Sequence, residues 1–225
     1  MKRSAMLRDM IFAARSDKRA KRASDSCSVW SRRAWLLLGI ASLGLAACDH
    51  RTPAEDPPLA GAQIGGDFTL LDKAGKTVRY ADFAGKWRVL YFGYTYCPDI
   101  CPLDVQHLMQ GYHLFARAHP DLARQVAPMF VSIDPERDTP QAVGQFVGAF
   151  GPELIGLTGN AAQVAQAAKA FAVFYQKRPG AAPGTYLMDH NRAAYLMDRE
   201  GRPVALLPVD SDGRAVAAEL EKWVH

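Results

Sequence analysis

The pattern of hydrophobic and polar positions predicts alternating strands and helices beyond residue 63. Nearly continuous apolar runs, rich in β-branched and aromatic side chains, occupy residues 87–94 and 126–133. Such runs are typical of strands that are buried on both faces of a sheet. Between them, residues 103–117 have apolar positions on one face of a predicted helix. Shorter apolar segments on either side of a glycine-containing turn predict hairpins at 66–80 and 194–207.

The second half of the chain adds helices and short strands. A helix is predicted from Thr139 to Phe150, because Pro140 suits a first turn, and another from Ala161 to Phe171, which Asn160 can cap. Residues 154–157, 174–176 and 186–188 are strand-like, and 212–223 is a final amphipathic helix. This order predicts an α/β fold with a mostly parallel core sheet, covering helices and an antiparallel edge hairpin.

A basic and then apolar leader precedes the predicted domain and is typical of an export signal. Its apolar stretch, Trp35–Ala47, would rise only about 20 Å as a helix, too little to span a hydrocarbon core roughly 30 Å thick. The stretch ends in Leu45-Ala46-Ala47-Cys48, which resembles a bacterial lipobox. It predicts that Cys48 is acylated and becomes the mature N-terminus.

The leader also allows other interpretations. An ordinary signal peptide or an uncleaved anchor would leave Cys48 incidental. The segment Ser31–Leu37 resembles a twin-arginine signal. The basic region is long, so translation starting at Met6 or Met10 is also compatible with the sequence.

Composition and charge separate the leader from the rest. With 49% hydrophobic and 22% charged residues, the chain has the composition of a globular protein. Residues 1–47 contain ten basic and three acidic side chains, a charge of +7, so the remainder carries −3 of the net +4. No nucleic-acid partner is therefore expected. We predict a lipoprotein-type signal peptide at 1–47, a lipidated N-terminus and flexible proline-rich tether at 48–63, and one folded domain at 64–225.

One isolated cysteine pair in the predicted domain indicates its chemistry. Cys97 and Cys101 lie in the segment YFGYTYCPDICP, where a buried strand meets a helix, an arrangement found in thioredoxin-like proteins. A disulfide would enclose only three residues and stabilise little, so redox or soft-metal chemistry is favoured. The adjacent helix N-terminus should favour thiolates. Because Pro102 would disrupt a helix interior, we expect the regular helix to begin near Leu103.

Three sequence blocks, in order, resemble the Sco/SenC family. They are Tyr91–Pro102, Val131–Pro140 (VSIDPERDTP) and Asp189–Gly201 (DHNRAAYLMDREG), and the resemblance extends from about Ile64 to Trp223. Members of this family are membrane-tethered copper chaperones that help assemble the copper-A centre of cytochrome c oxidase. The resemblance implies a thioredoxin-like three-layer sandwich, with a central mixed β-sheet flanked by helices and an extra β-hairpin.

The resemblance also implies a copper site. Its ligands would be Cys97, Cys101 and His190, holding one copper ion per chain as Cu(I), Cu(II) or both. Thiolates suit Cu(I), and an imidazole lets the site accept Cu(II) as well. His190 is one of six histidines and is expected in a loop after a strand. Asn191 stands where the family often has Ser or Thr, which affects the expected hydrogen bonding around the histidine.

Other residues of these blocks receive mainly structural interpretations. Asp99 is expected to stabilise a turn, although it could also tune the charge of the site. Tyr94 and Tyr96 either pack in the core or dock a partner. A rigid, hydrogen-bonded loop near the site is expected from Asp134, Pro135, Arg137 and Asp138. Three methionines are expected in the core: Met129, Met188 and Met197.

These features together predict a copper chaperone tethered to the periplasmic side of a bacterial membrane, with the inner membrane favoured. Its expected partners are the copper-bearing subunit of cytochrome c oxidase, the membrane through a lipid anchor, and a thiol reductant, because an oxidising compartment favours the disulfide. The alternative is a thiol–disulfide oxidoreductase that uses Cys97 and Cys101 on the oxidase copper site or other exported proteins. A peroxiredoxin-like peroxidase shares the fold but requires neither a distal histidine nor the flanking prolines.

Overall fold

The computed structural model describes residues 55–225. Within this range the chain forms nine β-strands, five α-helices and a 3-10 helix at Tyr80–Phe83. The strands are β1 Thr69–Leu71, β2 Thr77–Arg79, β3 Trp87–Gly93, β4 Val126–Ser132, β5 Ile155–Leu157, β6 Tyr175–Pro179, β7 Tyr186–His190, β8 Ala194–Met197 and β9 Pro203–Leu207. The helices are α1 Ile100–Ala118, α2 Pro120–Ala123, α3 Pro140–Gly148, α4 Ala161–Ala170 and α5 Gly213–Trp223.

The central sheet has five strands in the order β5-β4-β3-β8-β9. Strand β3 pairs in parallel with β4, which pairs in parallel with β5, whereas β8 and β9 are antiparallel additions beside β3. The sheet is therefore mixed: β3, β4 and β5 form the expected parallel core, and β8 and β9 form the expected antiparallel hairpin at its edge.

Helices cover both faces of this sheet, so the molecule is a three-layer α/β sandwich. On one face, Tyr91 of β3 contacts α1 at Asp104, and Phe130 of β4 packs on Phe146 of α3. On the other face, the next residue of β3, Phe92, packs on Phe171 at the end of α4. The alternation of side chains along a strand thus divides the core into two halves.

Helix α5 lies on the same face as α1, and glycines permit their close approach. A Cβ atom on Gly111 would lie 2.5 Å from Cβ of Val216, and one on Gly213 would lie 2.6 Å from Cβ of Gln110. Two helix backbones can come this close only where side chains are absent. The crossing fixes α1, whose first turn carries Cys101, against the body of the domain.

Helix α1 begins three residues earlier than the sequence predicts. It starts at Ile100, with Asp99 as the N-cap, so Pro102 lies in the first turn. The first amide groups of a helix have no partner within it, and the missing amide of Pro102 therefore costs nothing there. The predicted start near Leu103 is wrong for this reason.

The last part of the predicted tether packs on the domain. Leu59 donates its amide to the carbonyl of Val204 on β9 at 3.0 Å, and Lys222 of α5 pairs with Glu55 at 2.8 Å. The interpretation of the tether as unpacked is therefore wrong for residues 55–62. The leader, Cys48 and the first residues of the tether lie outside the described range. Among residues 55–225, no helix combines the length and hydrophobicity needed to cross a bilayer.

Candidate functional site

The cysteine pair lies where β3 runs into α1. Cys101 is fully buried in the first turn of α1, and Cys97 is half-buried in the preceding loop. Both are free thiols, and Sγ of Cys97 accepts a hydrogen bond from the amide of Cys101 at 3.3 Å. The last residue of β3 is Gly93, and there is no room for a side chain at this position. A Cβ there would lie 2.9 Å from the Tyr91 ring and 3.3 Å from Sγ of Cys101. The strand end is thus shaped to admit the buried sulfur.

His190 approaches the pair from the other side. It is the last residue of β7, rather than a loop residue, and its Nε2 lies 3.3 Å from Sγ of Cys101. Its Nδ1 lies 2.9 Å from the backbone carbonyl of Asn191, which can only accept, so Nδ1 carries the proton. Nε2 is therefore the ring nitrogen that faces the Cys101 sulfur.

The structure thus places the three predicted ligands, Cys97, Cys101 and His190, at one end of the sheet. The hydrogen bond that orients the imidazole comes from the backbone of Asn191. The Asn191 side chain has another role, because its Oδ1 accepts from the amide of Phe174. The family difference at this position consequently leaves the orienting contact of the histidine intact.

The two thiols differ in acidity because they differ in environment. A hydrogen bond from the Cys101 thiol, followed by bonds from the backbone amides of Asp99 and Cys101, outweighs burial and lowers the pKa of Cys97 to about 5. The hydrogen bond to Cys97 and burial raise the pKa of Cys101. The expectation of two stabilised thiolates therefore holds for Cys97 and is wrong for Cys101.

An open cleft of about 380 Å³ gives access to these groups. Cys97, Met188 and His190 line it, and an ion pair between Arg178 and Asp189, 2.6 Å apart, lies at its wall. One sulfur and the imidazole are therefore reachable from solvent, whereas Cys101 lies behind them.

The donor set fits a thiophilic metal ion. A thiolate at about 2.3 Å and an imidazole at about 2.1 Å from one ion stand roughly 3.4–3.8 Å apart, close to the 3.3 Å between Cys101 and His190. Among residues 55–225 no three His, Cys, Asp or Glu side chains already form a complete ligand shell. Binding by all three predicted ligands would therefore require a rearrangement of these side chains.

The predicted rigid loop between β4 and α3, residues 133–139, adjoins the site. Asp138 is buried and accepts hydrogen bonds from the amide and hydroxyl of Thr95 and from the hydroxyl of Ser132. Asp134 is also buried and accepts from Arg137 and from the hydroxyl of Tyr186. The loop therefore contacts both the cysteine loop and the strand that carries His190.

A third buried carboxylate was not predicted from the sequence. Asp104 in α1 accepts hydrogen bonds from the Tyr91 hydroxyl at 2.9 Å and from Arg192 at 2.9 and 2.5 Å. Arg192 follows His190 by two residues, so this ion pair ties the end of the histidine strand to α1. The one sequence signal is that Asp104 follows Cys101 by three residues, which places both on the same helix face.

The other residues of the three sequence blocks have different outcomes in the structure. Asp99 is the exposed N-cap residue of α1 and makes no side-chain capping bond within the described residues, so its side chain does not stabilise the turn by a hydrogen bond. Tyr94 is buried, whereas the Tyr96 side chain is 57% exposed next to Cys97, consistent with docking. The three methionines named above are buried, as predicted.

Comparison with known proteins identifies the relatives of this chain. The profile described as SCO1/SenC matches residues 56–225. The mitochondrial SCO2 homolog of Bos taurus is 43% identical over 162 residues, which cover 72% of this chain and 58% of that protein. The chain thus spans somewhat less than two thirds of that relative.

Solved structures agree with this result. The structure of Bradyrhizobium japonicum ScoI with copper bound matches with a TM-score of 0.64 and 36% identity, covering 71% of this chain and 99% of that one. Arabidopsis thaliana ScoI with copper bound matches with a TM-score of 0.66 and 37% identity, covering 71% and 96%. The thioredoxin-like fold implied by the sequence blocks is confirmed. With three quarters of its length matched by the family profile, the chain belongs to the SCO1/SenC family.

Proposed function

We propose that this protein is a copper chaperone that binds one copper ion through Cys97, Cys101 and His190. The observation that carries the proposal is the 3.3 Å contact between Nε2 of His190 and Sγ of Cys101, beside a second cysteine. Two sulfurs and an imidazole form a donor set that suits Cu(I) and tolerates Cu(II). Two relatives of known structure, the ScoI proteins of Bradyrhizobium japonicum and Arabidopsis thaliana, have copper bound.

The three proposed ligands differ in whether they must lose a proton before they can bind copper. The low pKa of Cys97 makes it a thiolate at neutral pH, and the Nε2 lone pair of His190 is free because Nδ1 holds the proton. Cys101 is the last ligand to become available, because it must first lose its proton. Three protein ligands beside an open cleft leave copper accessible to an acceptor.

We further propose the copper-A centre of cytochrome c oxidase as the destination of the copper. The lipid anchor on Cys48 would hold the domain at the periplasmic face of a membrane, where an exported thiol reductant keeps the cysteines reduced. This part of the proposal rests on the family resemblance and on the leader sequence.

One observation favours a second candidate, a thiol–disulfide oxidoreductase. Cys97 is an accessible thiolate backed by a buried thiol. The Cys97 thiolate would attack a target disulfide and release one target thiolate. Cys101, after losing its proton, would then displace the second one, leaving the Cys97–Cys101 disulfide and a reduced target. This reaction does not need His190 as a ligand.

Replacement of His190 separates these two functions. His190→Ala should weaken Cu(I) binding more than roughly 100-fold, because even outer-shell partners of a metal ligand are worth 10- to 100-fold. The alkylation rate of Cys97 should change little. His113→Ala is the matched control, because that exposed imidazole lies about three turns beyond Cys101 along α1, pairs with Glu153 and should not affect copper affinity. Unchanged copper affinity in His190→Ala would contradict the proposal.

A further inference from the structure

The loop between β4 and α3 contacts both halves of the site, and Arg137 is shared between them, because its guanidinium also lies 4.9 Å from the centre of the Tyr96 ring. On the cysteine side, the carboxylate of Asp138 accepts the Thr95 amide at 3.0 Å and the Thr95 hydroxyl at 2.6 Å. It also accepts the Ser132 hydroxyl at 2.6 Å, and it is only 1% exposed. Thr95 precedes Cys97 by two residues, so these bonds fix the base of the cysteine loop.

On the histidine side, the contacts converge on Tyr186. Its hydroxyl donates to Asp134 at 2.8 Å, and Arg137 donates to its backbone carbonyl at 2.9 Å. The Arg137 guanidinium also lies 3.6 Å from the centre of the Tyr186 ring, and its Nε donates to Asp134 at 2.6 Å. The tyrosine is thus held at its ring face, its hydroxyl and its backbone.

These contacts matter because β7 is not itself a strand of the central sheet, which the chain re-enters only at Ala194 of β8. Strands β6 and β7 form a separate two-stranded sheet, with no ladder to the five central strands among the described residues. Tyr186 is the first residue of β7 and His190 is the last. Side chains therefore help to hold the hairpin to the body. The rings of Tyr91 and Tyr94 pack edge-on against His190 itself, and the contacts around Tyr186 act at the opposite end of β7.

We infer that Asp134, Arg137 and Tyr186 form a latch that positions His190 against Cys101. They are positioning residues, since none of them contacts the sulfurs or the imidazole in the hydrogen-bonding pattern described above. Asp138 has the corresponding role for Cys97 through Thr95. The consequence for copper affinity rests on the proposed function, whereas the consequence for the position of the imidazole does not.

The latch can be tested by removing one hydroxyl. Tyr186→Phe keeps the ring under Arg137 but removes the donor to the buried Asp134 carboxylate. In the reduced full-length protein, Cu(I) affinity measured by competition with a chromophoric chelator should fall about tenfold, the range for partners that orient a metal ligand. Hydrogen exchange of the β7 amides in the metal-free protein should accelerate.

Tyr175→Phe is the matched control. It removes one tyrosine hydroxyl from the same hairpin, on β6 opposite His190, but outside the contacts with Asp134 and Arg137. Both copper affinity and β7 exchange should remain at wild-type values. Tyr186→Phe leaves the bonds between Asp138 and Thr95 in place and keeps the ring beside Arg137, so the alkylation rate of Cys97 should stay at the wild-type value.

A double mutant distinguishes an effect on the position of His190 from a general destabilisation of the domain. In a His190→Ala background, Tyr186→Phe should cause no further loss of copper affinity, because the latch acts only through the imidazole. An equal loss in both backgrounds, or wild-type affinity and exchange in Tyr186→Phe, would overturn the inference. If wild-type protein failed to bind copper, the proposed function would fall, while faster β7 exchange in Tyr186→Phe alone would still support the latch.

Discussion

At the scale of single residues, the site makes two chemically different thiols from one short segment. Cys97 is half-exposed and receives hydrogen bonds, whereas Cys101 is buried and donates its proton toward Cys97. The two cysteines lie at the same helix N-terminus, yet their thiol pKa values shift in opposite directions. The accessible Cys97 thiolate can react first with a metal ion or a disulfide, and the buried Cys101 thiol reacts only after it loses its proton.

This asymmetry predicts the pH dependence of thiol alkylation. Lowering of the Cys97 pKa to about 5 means that its thiolate forms as pH rises through 5. The iodoacetamide rate should therefore reach half its maximum near pH 5 and be constant above about pH 7, whereas an ordinary thiol has its midpoint near roughly 8.5. Cys101 should remain unmodified over that range. Mass spectrometry of the alkylated peptides gives both rates.

Two variants of Cys101 test the cause of the shift. Cys101→Ala removes the donor to Cys97 and should move its midpoint upward, toward that of an ordinary thiol. Cys101→Ser keeps a hydroxyl donor and should have a midpoint below that of the alanine variant. Equal midpoints in the two variants would show that the Cys101 side chain does not control Cys97.

The sequence indicates some residues of the site better than others. The cysteine pair and His190 belong to recognisable sequence blocks, and the structure brings Cys101 and His190 into contact. Asp104 and Arg192 are 88 residues apart, and Tyr186 and Asp134 are 52 apart. Neither spacing nor polarity pairs such distant residues, because each one alone has the pattern of an ordinary surface residue.

At the scale of elements, the site depends on how α1 is seated. The crossing of α1 and α5 at Gly111 and Gly213 holds the helix whose first turn contains Cys101, and α3 adds a second close contact. A Cβ on Gly156 of β5 would lie 2.6 Å from Val143 of α3. Small residues thus set the distances between the layers.

Substitution at the helix crossing should be destabilising for a specific reason. In Gly111→Ala the new Cβ would meet Cβ and Cγ1 of Val216 at 2.5 Å, and the overpacking should lower the free energy of unfolding by about 2 kcal/mol. Gly148→Ala is the control, because a Cβ at that exposed helical position meets nothing within 4 Å. It should be neutral or slightly stabilising. Urea denaturation of both variants makes the comparison, and equal stabilities would contradict this account of the crossing.

Most elements are predictable from the sequence, and the exceptions have physical causes. The two buried strands, both predicted hairpins and the Asn160 cap of α4 appear where the pattern places them. The start of α1 was displaced because Pro102 is tolerated in a first turn as well as after one. Strand direction follows the prediction, because the alternating order of strands and helices gives parallel pairs and the glycine-containing turn gives an antiparallel hairpin.

At the scale of the whole molecule, the first described residues and the cysteines lie at opposite ends of β3. Residues 55–62 pack near β9 and α5, and Trp87 at the start of β3 lies in the same region, sharing a cavity with Glu55 and Trp223. The cysteines follow the opposite end of β3, a strand about 20 Å long at roughly 3.3 Å per residue. The described chain therefore begins near the end of β3 that is opposite the cysteines.

The anchor itself can be tested in cells. Cys48→Ala should move the protein from the membrane fraction to the soluble periplasmic fraction or leave it as an unprocessed precursor, and should abolish labelling by a radioactive fatty acid. Cys27→Ala, in the basic part of the leader, should change neither property. Undiminished lipid labelling of Cys48→Ala would contradict the assignment of Cys48 as the lipidated residue.

The central claim is that two sulfurs and one imidazole share a single copper ion. Its most direct test is titration of the fully reduced protein with copper under anaerobic conditions, followed by the charge-transfer absorption of the Cu(II)–thiolate bond and by metal analysis after dialysis. The account predicts one copper per chain in the reduced protein and none after Cys97 and Cys101 are oxidised to a disulfide. Equal copper retention by the reduced and oxidised forms, or none in either, would contradict it.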